Sequence, residues 1–315
     1  MPSAPPTEDC TALKDISKIL LYLIGTVLFG AAVTPLLYWG SMALAAHGRM
    51  AFLAKVDFHS YFDRGVLIAA LALLYLLARA LKIESRASLD LPPNPHWRRD
   101  LGLGLVVALV SAAALIGWAI TVHAWTFRPA VVAPKMLLAF LTAAVVSCLE
   151  EGLFRGALQG AIQRTAPKAV ALVFVAALFA VVHFLKPPDH ALTGPVTWAS
   201  GFVMIPLAAW RFHDLPSILG SLTTLFVIGL TLGYARRKTA SLWLPIGLHA
   251  GWILGASVGS AGWVKLTKRS ISTAPWFGGD LLNGLAPVVV LTVTGVAVWL
   301  FLQKSPRSRG ETPVS

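Results

Sequence analysis

Eight apolar runs, each long enough to cross the hydrocarbon core of a bilayer, constrain this 315-residue chain more than any other feature. They lie at about 19–46, 65–83, 101–123, 135–160, 168–186, 217–235, 241–263 and 283–303. A helix rises about 1.5 Å per residue, so roughly 20 apolar residues span a core of about 30 Å. The composition agrees: 57% of residues are hydrophobic and 13% charged, against about 25% charged in a soluble domain. There is too little polar side chain to cover such an apolar mass in water, and disorder is excluded for the same reason. Two cysteines, Cys10 and Cys148, are too few for a disulfide scaffold. The expected fold class is all-α: a polytopic membrane protein of about eight transmembrane helices.

A ninth run, at 195–213, follows Pro187 and Pro188 and contains Pro206; it could cross, re-enter or lie in the interface. Residues 1–16 read as a polar tail without the basic start and small-residue cleavage site of a signal peptide. Residues 17–303 read as one membrane domain, and 304–315 as a polar, basic tail. The 26 Lys and Arg outnumber the 14 Asp and Glu, for a net charge of +12. They gather between apolar runs, at Arg98 and Arg99, Arg236 to Lys238 and Lys265 to Arg269. Such clusters contact headgroups and set topology, so the lipid bilayer is the expected partner and nucleic acid is not. With eight crossings and the N-terminus inside, 15 of them lie inside and 10 outside, leaving aside Arg155. This bias points to an N-in orientation.

Acidic side chains cost several kcal/mol at the bilayer centre unless paired or hydrated. Between Leu101 and Pro188 there are two of them, the adjacent Glu150 and Glu151. Neighbours on a helix point about 100° apart, whereas Arg155, four residues after Glu151, shares its face. A Glu151–Arg155 pair is therefore expected, with Glu150 left to face something else. Two acids and one base leave a charge that a purely structural ion pair does not balance. His183 and His249 also fall in apolar runs, and groups costly to bury tend to converge on a hydrated functional cavity. The remaining histidines, His47, His59, His96, His123, His190 and His213, fall in loops or at helix ends and are read as ordinary polar residues. Cys148 is read as a small buried packing residue rather than a nucleophile.

These residues resemble the type II CAAX prenyl endopeptidase and bacteriocin-processing group of intramembrane proteases, the CPBP or Abi family. Its EExxxR motif is matched by Glu150-Glu151-Gly-Leu-Phe-Arg155, with Gly156, Leu158 and Gln159 following in a familiar way. FxxxH is matched by Phe179-Ala-Val-Val-His183, and the third-motif histidine by His249. The three occur in order, each in a membrane-length run, across a motif core of about 135–255. One departure is Ile253, where the family often has an asparagine thought to hold the substrate carbonyl. An apolar side chain cannot donate to a developing oxyanion, a loss worth about 10²–10³ in rate.

The resemblance implies an endopeptidase, glutamic or metallo, acting on a membrane-associated peptide or protein in the plasma membrane of a prokaryote. In it Glu150, helped by His183, activates water; His249 stabilises the oxyanion or holds the water; Arg155 orients Glu151. No cofactor is required in this reading. Zn²⁺ is an alternative, because Glu150, His183 and His249 form a two-histidine, one-carboxylate set, though without the HExxH spacing. Two other classes remain open. One is a proton-coupled transporter using the same groups as a relay, which an internal inverted repeat would support and which the chain lacks. The other is a catalytically silent scaffold or immunity protein, for which Ile253 argues.

Overall fold

The computed structural model describes residues 8–127, 133–260, 264–266, 275–278 and 281–304. The tail residues 1–7 and 305–315, and residues 267–269 of the Lys265–Arg269 cluster, lie outside them. The helices are α1 (Glu8–Ala46), α2 (Phe58–Ala80), α3 (Trp97–Thr121), α4 (Ala133–Glu151), α5 (Gln159–Ile162), α6 (Lys168–Val182), α7 (Ser200–Ala208), α8 (Leu215–Thr239), α9 (Trp243–Ser260) and α10 (Leu285–Lys304). Two short strands, β1 (Trp125–Phe127) and β2 (Val264–Leu266), pair antiparallel. Helix α1 begins inside the expected polar tail. Once the apolar run has nucleated it, each further residue adds a hydrogen bond at little cost.

All eight expected runs are mainly helical where described; residues 261–263 of the seventh lie outside the described residues, and the fifth leaves the helix after Val182. Among the described residues, six stretches are long and apolar enough to cross a membrane: 14–46, 58–80, 97–121, 136–162, 200–239 and 285–304. The protein is therefore an integral, multi-pass, all-α membrane protein. The other two expected crossings are α6, a shorter apolar helix, and α9, whose described helix ends at Ser260. The run at 195–213 is broken: α7 has nine residues and Trp210–Asp214 forms a 3₁₀ turn. Alone, α7 rises about 14 Å, half the depth of the core.

Burial is inverted relative to a soluble protein. Leu21, Ile24, Val110, Leu137, Leu138 and Val293 are exposed, while Thr34, Ser147, Glu151, Arg155, Gln159 and Thr224 are completely buried. Lipid solvates the apolar exterior, so polar groups must find partners inside.

The chain packs as two compact units. The first comprises Met1–Glu84, Arg164–Ala166 and Val181–Leu215. Within it α1 and α2 run antiparallel: Tyr22 donates to the Ala70 carbonyl at 2.9 Å, and Gly30 lies on the Val66 backbone. Pro35 in α1 has no N–H for the Ala31 carbonyl, and Gly201 of α7 packs directly on that carbonyl. The second unit comprises Ser85–Gln163, Pro167–Ala180 and Pro216–Ser315. Its main seam is between α3 and α9, where small residues on both helices, Gly104, Ala108 and Ala112 facing Gly247, Gly251 and Gly255, bring the backbones together. The pairs 104 with 247 and 112 with 255 ascend together, so α3 and α9 are parallel. By the same reading α8 runs antiparallel to α6 (Gly229 on Ala176, Gly233 on Leu172) and parallel to α10 (Gly220 on Gly284, Gly295 on Thr231).

Candidate active site

The Glu150–Arg155 motif lies where α4 gives way to a π-helical segment, Gly152–Leu158, before α5 resumes regular winding. Such wide turns are rare and occur frequently at functional sites. Two glycines, Gly152 and Gly156, fall within this one and reduce side-chain crowding.

Glu151 and Arg155 are both fully buried, and Arg155 Nη1 donates to Glu151 Oε1 at 2.9 Å. The same carboxylate oxygen accepts from His249 Nδ1 at 2.8 Å. Glu151 is thus clamped between a helical neighbour and a residue 98 positions away on α9. Because the carboxylate accepts, Nδ1 carries the hydrogen, and in that neutral tautomer Nε2 is the acceptor. That nitrogen lies 3.8 Å from Glu150 Oε2. This is too far for a hydrogen bond but within reach of a shared water. The Glu150 side chain is 25% exposed, against 0% for Glu151. The neighbouring carboxylates therefore occupy different environments: Glu151 is enclosed, whereas the Glu150 side chain is partly exposed although its Oε2, the oxygen toward His249, is buried.

An aromatic wall closes the site. The Arg155 guanidinium sits 4.2 Å from the Phe179 ring centroid, and Phe179 packs edge-on against both Phe154, at 5.3 Å, and His249, at 5.8 Å. A cation over a ring face is stabilised by the ring quadrupole, most strongly where water is excluded. One turn further, buried Gln159 donates from Nε2 to the Gly233 carbonyl at 3.1 Å. A Cβ at Gly233 would stand 2.9 Å from Gln159 Oε1, so the absence of a side chain there admits the amide.

Of the five residues singled out by sequence, the second compact unit brings together Glu150, Glu151, Arg155 and His249. His183 is the first residue beyond α6; it is half-buried in a turn and belongs to the first unit. Cys148 is exposed rather than buried. On a helix bathed in lipid, a small weakly polar side chain can face outward without penalty. Ile253 lies one turn after His249 on α9, half-buried. Among the described residues, no group of three or more His, Cys, Asp and Glu has the spacing to hold a metal ion.

Sequence reasoning did not assign Phe179 and Gln159 their contacts, although each left a signal. Gln159 follows Arg155 by four residues and Glu151 by eight, on one helical face. It also treated His59 and His190 as separate loop residues. In the first unit both clasp Asp57, the N-cap of α2, through ring nitrogens at 2.8 and 2.6 Å and backbone N–H groups at 3.0 and 3.1 Å. Burial raises the Asp57 carboxyl, but these hydrogen bonds outweigh it and hold it below the usual carboxylate range.

Comparison with known families agrees with the motifs. Residues 129–254 match the family model described as type II CAAX prenyl endopeptidase Rce1-like. No curated protein and no solved structure matches the chain.

Proposed function

We propose, from the match of residues 129–254 to the type II CAAX prenyl endopeptidase Rce1-like family model, that this integral membrane protein cleaves a peptide bond in a membrane-associated peptide or protein. The observation that carries the reading is the asymmetry of the two glutamates: Glu151 is locked between Arg155 and His249, while Glu150 is 25% exposed.

In this reading Glu151 and Arg155 are fixed parts that orient His249, in the way a buried carboxylate orients the histidine of a catalytic triad. Water held by His249 Nε2 and Glu150 loses a proton to Glu150 as its oxygen attacks the carbonyl carbon. The proton then passes to the leaving amine as the C–N bond breaks. The family motif gives His183 a part in the same reaction, and the His183→Ala arm below tests it. The resemblance to the bacteriocin-processing branch favours a prokaryotic plasma membrane as the site of action. The described residues present no metal-holding group, so the zinc alternative rests on residue types alone: Glu150, His183 and His249 are the ligands it would need.

Ile253 favours one second reading, a silent scaffold, since it removes a side-chain donor for the oxyanion. A single assay separates the two. Purified protein in detergent is given candidate membrane-anchored peptides, and wild type is compared with Glu150→Ala, His183→Ala and His249→Ala. The expected result is cleavage by wild type and a drop of about 10²–10⁴ in each variant. Cleavage that persists in Glu150→Ala and His183→Ala overturns the assignment. Absence of cleavage by wild type supports the scaffold, or a transporter if liposomes show proton-coupled flux. A chelator arm decides the metal question.

A further inference from the structure

Away from the glutamates, Asp90 and Pro92, the end of α5 and start of α6, and the last turn of α8 line a cavity of about 270 Å³ in the second unit. Its walls carry Asp90, Gln163, Lys168, Arg236 and Arg237. Arg236 is 1% exposed, yet its guanidinium bonds only neutral acceptors: Nη1 to Gln163 Oε1 at 2.6 Å, and Nη2 to the Leu89 carbonyl. Among the described residues no carboxylate lies within ion-pair distance of it. Asp90 instead faces Lys168 at 3.8 Å, both well exposed. Among the described residues, Arg236 Nε and Gln163 Nε2 are buried donors with no acceptor. Three cations and one carboxylate leave the cavity with a net charge of +2.

Asp90 attracts Arg236 only from beyond contact distance, and a buried guanidinium with no carboxylate in contact is costly. A group that supplies several acceptor oxygens and a negative charge relieves both deficits. Guanidinium and amide N–H donors fit a tetrahedral oxyanion well. The depth of the cavity narrows the choice. Arg236 and Arg237 close the stretch 200–239, and Lys168 opens α6, so the cavity lies where the helices leave the apolar core, at headgroup level. The three chain segments also share the side that the positive-inside count makes cytoplasmic, where anionic lipids concentrate.

We propose that this cavity binds the phosphate group of an anionic phospholipid, with Lys168 and Arg237 reaching the phosphate oxygens and Arg236 and Gln163 forming the polar wall behind them. Binding here is independent of the proposed peptidase chemistry.

The test uses the full chain in neutral detergent. Native mass spectrometry measures retention of phosphatidylglycerol and of phosphatidylcholine, with inorganic phosphate as a competitor. Selective retention of phosphatidylglycerol is expected, falling about tenfold or more in the Lys168→Gln/Arg237→Gln variant. An Arg98→Gln/Arg99→Gln control should retain it. Both pairs avoid the glutamate site, and the thermal midpoint without added lipid shows whether each is folded. Equal retention of the two lipids, unchanged binding by the Lys168/Arg237 variant, or equal loss in both variants overturns the proposal. If millimolar inorganic phosphate displaces the lipid completely and protects the protein as well as lipid does, the cavity is an oxyanion site for free phosphate and the lipid assignment falls.

Discussion

Arg155 shows how much a single side chain must satisfy when no water is available. It pairs with Glu151 at 2.9 Å, lies over Phe179 at 4.2 Å, and has no exposed surface. Arg155→Met would leave Glu151 buried with only His249 to answer its charge. The expected loss is about 3–5 kcal/mol, read as a lowered unfolding midpoint in detergent. Arg155→Lys keeps the charge but loses the planar fork and the stacking surface, so it should fall between the two. A midpoint unchanged in Arg155→Met would show that the pair contributes nothing net. The Glu151–Arg155 half of this cluster was legible from the i, i+4 spacing. The other half was not: sequence spacing cannot say which of two adjacent carboxylates a histidine on a distant helix will reach. The Nδ1 of His249 is engaged by Glu151, which leaves Nε2 on the side of Glu150.

At the scale of elements, the seam between α3 and α9 decides where His249 stands. A Cβ at Gly104 would meet the Leu244 carbonyl at 2.5 Å and the Leu248 amide at 2.7 Å, and one at Gly251 would meet Ala108 Cβ at 2.6 Å. Gly247, two residues before His249, lies directly against the Leu101 carbonyl. These contacts are with backbone or Cβ atoms, which cannot swing aside. Gly247→Val should therefore push the helices apart, costing about 1–3 kcal/mol or more, and displace His249 from Glu151, lowering peptide cleavage as well. Gly117→Ala, on the same α3 but with open space around it, should leave both unchanged. Equal effects from the two substitutions would refute the close-packing account. The spacing of Gly247, Gly251 and Gly255 by four is visible in the sequence as a small-residue stripe. Its partner helix is not, because such a stripe only permits close approach and does not choose the neighbour.

For the whole molecule, helix directions and loop contacts in the second unit obey one alternation. The cavity joins 85–92, 163–168 and 236–240 at one end, while β1 and β2 join the segments after α3 and α9 at the other. In protein whose native cysteines are replaced, Arg86→Cys and Lys238→Cys should react with an impermeant maleimide from one side of sealed vesicles, and His123→Cys from the other. Labelling of positions 86 and 238 from opposite sides would break the alternation. The sequence by itself determined the class of molecule, because burying about 20 apolar residues in lipid leaves a helix no competitor. It also located the costly charges, since a carboxylate in such a run stands out whatever surrounds it. Only the tertiary structure decided that Glu151 is enclosed while the Glu150 side chain is partly exposed, and that buried Arg236 has, among the described residues, no carboxylate within ion-pair distance. Those distinctions depend on contacts between residues far apart in the chain, which helical periodicity does not encode.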